Sequence, residues 1–237
     1  MPVTERDPIA DARDLVASRF PGARWAVLAG SVITAQRTPG SDLDVVVLMP
    51  SGVPGVPHRE TVRFRGWPVE LFVHDAPSLE RFFDLEYAQR KPTLRRMVAT
   101  GVPVAGDPGP VRSESARVLA AGPAPLTTAE IDRQRYALTD LLDDLTHVID
   151  PGERVALTGT GWVAAAEAAL VLRGAWSGRG KWLLRELRAL DPGLASAWLA
   201  AAGSPEGVAA FVRRVLDDAG GPLYDGYHAD GSVVPPR

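Results

Sequence analysis

The chain has no cysteine among its 237 residues. Disulfides, thiolate zinc sites and cysteine nucleophiles are therefore excluded. It has no basic excess either: the formal net charge is −3, which gives no support for broad nucleic-acid binding. No stretch reads as the roughly 20 consecutive apolar residues of a membrane span. The opening Met-Pro-Val-Thr-Glu-Arg-Asp shows neither the basic nor the apolar region of a signal peptide. Internal repeats and low-complexity tracts are absent too. With 46% hydrophobic and 23% charged residues, the composition is that of an ordinary globular protein, and the expected location is the cytoplasm, without membrane or nucleic-acid partners.

What is present centres on Gly30-Ser31 and Ser41-Asp42-Leu43-Asp44, the latter running into Val45-Val46-Val47-Leu48-Met49. That continuous apolar run, β-branched at its start, reads as a buried strand. Period-two geometry places Asp42 and Asp44 on one side of its leading end, with Leu43 turned to the core. Two adjacent carboxylates repel unless a cation lies between them, and an all-oxygen site suits magnesium or manganese. Arg24 to Ala29 reads as a second short buried strand, and Gly30-Ser31 follows it directly. A Gly-Ser pair leaving a strand exposes backbone N–H groups and a hydroxyl, a natural phosphate cradle. Ser41 is a further candidate for nucleotide contact, with shaping of the turn as its plainer role. A third acid, Glu70, alternates with Val69 and Leu71 in a strand pattern. It reads as a metal ligand, as the base for an acceptor hydroxyl, or as a solvent-facing residue of an edge strand.

These residues resemble the nucleotidyltransferases of the DNA polymerase β superfamily, and within it the small antibiotic-modifying enzymes of the kanamycin and streptomycin/spectinomycin type. The likeness covers roughly residues 24 to 75. Many members carry Arg-Gly shortly after the Gly-Ser, where this chain has Thr34-Ala35 and an arginine only at Arg37. The resemblance implies two Mg2+ ions (Mn2+ in their place) on Asp42, Asp44 and Glu70, with the nucleotide tail on Gly30 and Ser31. It implies transfer of a nucleoside monophosphate, AMP from ATP, to a hydroxyl of a small polar acceptor such as an aminoglycoside, with release of pyrophosphate. A protein-adenylylating antitoxin-type transferase and a silent nucleotide-binding regulator are the alternatives. Monomer and homodimer both fit, the latter because kanamycin nucleotidyltransferase shares a cleft across a dimer.

Along the chain, apolar spacing predicts a helix over 7–20 closed by Pro21-Gly22, then the two strands, and a Pro/Gly loop over 50–57. A hairpin follows, with Gly66-Trp67-Pro68 as its turn, then helices over 77–100 broken near Lys91-Pro92. Arg90, Lys91, Arg95 and Arg96 read as a solvated helix face. The expected class is α+β: a mixed sheet domain with flanking helices over 1–107, then an all-α bundle over 108–237, the cleft lying between them. Helices are expected at about 127–149, 152–176 and 180–190, with two shorter ones to Ala219. The tail from Gly220 through Pro235-Pro236 reads as irregular.

The bundle holds weaker candidates, chiefly Glu167, Asp140, Asp144 and Lys181. Glu167 is the single charge between Val155 and Leu172, so it is either one half of an internal ion pair or an acid facing the acceptor. Asp140, Asp143, Asp144 and His147 form a stripe opposite Leu138, Leu141 and Leu145; such a stripe is a solvated face or, beside a cleft, a site for an amine-bearing substrate. In Ser177-Gly178-Arg179-Gly180-Lys181, Lys181 opens a helix and would be drawn to phosphate, or belongs to a basic surface turn. The streptomycin-type enzymes carry a similar Gly-Lys, which makes Lys181 resemble a triphosphate contact.

Overall fold

The computed structural model describes residues 7–229; the first six residues of the N-terminal segment and Pro235-Pro236 lie outside them. The chain divides into two compact units, Met1–Ala121 and Gly122–Arg237.

In the first unit Asp7-Pro8 starts helix α1 (Pro8–Arg19), the Asp7 carboxylate accepting from the Ile9 N–H at 2.9 Å. Five strands follow as a mixed sheet: β1 (Trp25–Ala29), β2 (Leu43–Leu48), β3 (His58–Phe64), β4 (Trp67–His74) and β5 (Val102–Gly106), in the order β3-β4-β2-β1-β5. Only β2 and β4 pair parallel. Period two divides β2 cleanly. Leu43, Val45 and Val47 pack on one face with Ala12, Leu15 and Val16 of α1. Val46 and Leu48 face the other way, onto Leu79 and Phe83 of α2 (Ala76–Ala88) and Leu94 and Val98 of α3 (Thr93–Thr100). Trp67 is wholly buried, and its indole N–H donates to Asp11 at 2.9 Å, which also takes Arg65.

Three features depart from the sequence expectation. The chain pairs again over Val102–Gly106, where Pro103 and Gly106 hide the strand pattern; β5 is an edge strand, where proline is tolerated. A helix, α4 (Gly109–Ala121), then packs back on α3, with the Arg112 Nε donating to the Ala99 carbonyl at 3.1 Å, so the first unit runs to Ala121 rather than 107. The basic run is half-buried rather than solvated, the Arg95 guanidinium lying 4.2 Å over the Phe83 ring.

Helix α3 begins at Pro92, which offers no capping side chain. Glu86 of α2 takes that role, its carboxylate accepting from the Leu94 N–H at 2.7 Å. Burial pushes the Glu86 carboxyl from 4.5 up to about 7, against the opposing pull of the Leu94 and Arg95 N–H groups. The folded state therefore holds a proton that the unfolded chain releases near 4.5. The resulting stability is fully present below that pH and is lost as pH rises through 7. Between pH 5 and 8, wild type should lose about 1–2 kcal/mol more than Glu86→Gln, a figure discounted for partial exposure; urea unfolding of both proteins across that range measures it.

Among the described residues the regular structure of the second unit is all helix: α5 (Thr128–His147), α6 (Pro151–Leu172), α7 (Lys181–Leu190), α8 (Pro192–Ala200) and α9 (Pro205–Asp218). Three of them start on the same local signal, a capping side chain followed by proline: Asp150-Pro151, Asp191-Pro192 and Ser204-Pro205. Helix α5 instead carries a Thr127/Glu130 capping box. The core joins Leu138 and Leu145 of α5, Ala165, Ala166, Ala168, Ala169 and Leu170 of α6, Leu183 and Leu187 of α7, and Val208, Phe211 and Val212 of α9. Trp162 and Trp198 stack at 4.0 Å, each indole N–H donating to the other's carbonyl at 2.8 Å, which locks α6 to α8.

Contrary to the expectation drawn from the sequence, α6 is long and apolar enough to cross a membrane by length and composition alone, with a mean hydropathy of 1.6 over its best window. In the structure its Ala165, Ala166, Ala168, Ala169 and Leu170 are buried in the bundle core. The segment after α9 has no regular structure as far as it is described, yet it is held: Arg135 donates to the Gly220 and Gly221 carbonyls, and Tyr227 stacks on Tyr136 at 4.1 Å.

Candidate active site

The parallel pairing of β2 with β4 sets Asp44 beside Glu70. Asp42 lies two residues before Asp44 and so on the same face, while Leu43 between them is 0% exposed in the α1-side core. One carboxylate oxygen from each of Asp42, Asp44 and Glu70 lies within 4.8 Å of the others, all three residues being half-buried. Three like charges this close repel and favour a cation among them. Among the described residues this is the one group of three such side chains spaced to hold a metal ion. The donors are all hard oxygens, as magnesium and manganese require.

Gly30 closes one side. Its φ is 84°, and a Cβ built on it would lie 2.2 Å from Asp44 Oδ2. Only glycine lets the end of β1 pass so near that carboxylate. A short 3-10 turn, Ser31–Ile33, follows, and its N-terminal N–H groups carry no side-chain cap. The Ser31 hydroxyl bonds that of Ser41 at 2.9 Å, and Ser41 Oγ also accepts from the Thr38 N–H at 3.0 Å. Ser41 is 4% exposed. Both of these hydroxyl bonds lie inside the 31–41 loop, directly before Asp42. Arg37 lies 5.3 Å over the Trp67 ring.

One participant escaped the sequence reading. Arg59 of β3 places a guanidinium nitrogen 2.7 Å from Glu70 Oε2. Glu70 is therefore neither a plain solvent-facing acid nor bare.

The remaining candidates lie in the second unit. Lys181 is the exposed first residue of α7. The glycine before the turn is there for space, since a Cβ on Gly178 would meet the Trp182 backbone at 2.8 Å. Glu167 is half-buried on α6 between buried Ala166 and Ala168. Asp140 and Asp144 are exposed on α5; Asp143 pairs with His147 at 3.1 Å, and Asp143, Asp144, His147 and Glu153 border an open depression.

No family model matches the chain, and no curated protein matches it. Among solved structures it is similar to a nucleotidyltransferase-like protein from Exiguobacterium sibiricum 255-15, with 12% identity and a TM-score of 0.47 over 90% of this chain and 75% of that one. The chemistry below rests on the geometry of the acid cluster and not on that likeness.

Proposed function

We propose that this chain is a metal-dependent nucleotidyltransferase, moving a nucleoside monophosphate from a triphosphate, ATP in the first instance, to a hydroxyl of a small polar acceptor. The observation that carries this reading is the convergence of Asp42, Asp44 and Glu70 within 4.8 Å beside a glycine whose positive φ and contact with Asp44 leave no room for a Cβ without a shift. The acids fit a divalent ion. Bound there, magnesium or manganese would polarise phosphoryl oxygens and offset charge on the departing pyrophosphate.

The chain's own groups divide the remaining work. Asp42 and Asp44, at the leading end of a buried strand, and Glu70 beside them supply the ligand oxygens. The backbone N–H groups after Gly30 and the Ser31 hydroxyl are donors suited to a phosphate. Glu70 is the acid suited to take the acceptor's proton as the acceptor oxygen forms its bond to the α-phosphorus. The bond from that phosphorus to the bridging oxygen then breaks, and pyrophosphate leaves with the electron pair. For the acceptor we favour an amine-bearing polyhydroxyl compound of the aminoglycoside class. The support is the resemblance of the motif to the antibiotic-modifying enzymes.

The test is incubation of the purified chain with ATP labelled at the α-phosphorus, magnesium and a panel of aminoglycosides and metabolite extract. Label on a small molecule is expected. Label on protein would replace the acceptor class, and label nowhere, with ATP and then with the other three triphosphates labelled in the same way, would overturn the reading.

A further inference from the structure

Arg59 stands where the cluster needs positive charge. β3 is an edge strand, and its register on β4 is fixed by the two-residue turn Arg65-Gly66, both residues at positive φ (48° and 82°). Phe64 then faces Trp67, and counting back sets Thr61 against Glu70 and Arg59 against Phe72. Arg59 so shares a sheet face with Glu70 and Phe72, while its neighbour Glu60 points the other way and pairs with Arg19 of α1 at 2.9 Å. The Arg59 guanidinium lies 4.8 Å over the Phe72 ring and bonds Glu70 Oε2 at 2.7 Å. Arg59's side chain is 61% exposed and Glu70's 31%.

We infer that Arg59 is a resident counter-cation of the acid cluster, a positioning residue whose charge and bond to Glu70 Oε2 oppose the binding of a divalent ion. The inference rests on the metal-binding reading above. Three carboxylates within 4.8 Å of one another are partly neutralised by this guanidinium, which bonds Glu70 through Oε2. A divalent ion at the same acids competes for Glu70 and is repelled by a fixed positive charge beside it. The exchange is easy for two reasons. An ion pair this exposed is weak. The guanidinium, once released, still has the Phe72 ring face to rest on. Arg59 thus steadies the metal-free protein and lowers its affinity for metal, a role in which it acts only through Glu70.

Manganese titration of the full chain followed by electron paramagnetic resonance, without nucleotide, tests this independently of turnover. Wild type is compared with Arg59→Gln, Arg59→Met and Arg59→Lys, each checked for fold by circular dichroism and thermal unfolding. Gln and Met remove the charge, and Met keeps an apolar stem over Phe72. Both are expected to bind Mn2+ about fivefold more tightly, the upper range for losing one exposed ion pair. Lys, which keeps the charge, should stay within about twofold of wild type on the same scale. Without metal the Gln and Met variants should unfold at a lower temperature, and Mn2+ should raise their midpoints more than that of wild type. Equal or weaker Mn2+ affinity in both neutral variants overturns the role of Arg59 and leaves the metal reading standing. Absence of Mn2+ binding in all four proteins overturns both.

Discussion

Asp44→Asn should lower nucleotidyl transfer by on the order of 10³-fold or more, the scale of removing a group that acts on the transition state, while leaving the fold intact. Asp44 is the middle acid: it pairs with Glu70 across β2 and β4, shares a face with Asp42, and lies against Gly30. Asparagine keeps its shape and fills the same space. It removes one negative charge from a crowded cluster, so the metal-free protein should be no less stable, and Mn2+ affinity should fall along with turnover. Steady-state rates, Mn2+ titration and thermal unfolding on one preparation separate these effects. A variant with wild-type turnover would remove Asp44 from the site, and an unfolded one would show that Asp44 has a structural duty the geometry does not reveal.

Gly30→Ala probes the same place through shape instead of charge. At φ 84° the added methyl would lie 2.2 Å from Asp44 Oδ2, so either the turn or the carboxylate has to move. The strain of a left-handed alanine together with the steric overlap should cost about 2–3 kcal/mol. A shift of Asp44 by about an ångström should reduce turnover roughly 10²-fold. Gly40→Ala in the same loop is the control, since a Cβ there meets only Thr38 Oγ1, at 3.9 Å. Denaturant unfolding and kinetics should show the Gly30 variant impaired in both respects and the Gly40 variant in neither. Equal behaviour of the two would mean that the close approach of β1 to Asp44 has no functional weight.

The class of the fold follows from local patterns: α+β, with a mixed sheet first and helices after it. Continuous apolar runs mark β1 and β2, and alternation separates Leu43 from its flanking acids. A capping residue before proline starts α1, α6, α8 and α9, the first two within a residue of the expected places. Where the local signal is mixed, the reading fails. β5 carries Pro103 and Gly106 in five residues and exists only because the edge of β1 offers it a ladder. Helix α4 is tied to the first unit by its packing on α3, a contact no periodicity encodes. Glu86 is recognisable as a helix cap only once α2 and α3 lie side by side.

The site divides along the same line. Alternation alone puts Asp42 and Asp44 on one face, because the pleat repeats every two residues whatever the rest of the chain does. That Glu70 joins them depends on β4 lying parallel against β2, a long-range pairing with β3 intervening in sequence, and strand order is not written in either strand. Arg59 lay within reach of counting, but the expected turn at Gly66-Trp67-Pro68 displaced the register, and a slipped register moves side chains to the wrong face. Local chemistry by itself determined which residues carry charge and which face each strand buries. Only tertiary structure decided which charges meet, since electrostatic partnership depends on distance in space and the chain must fold before that distance exists.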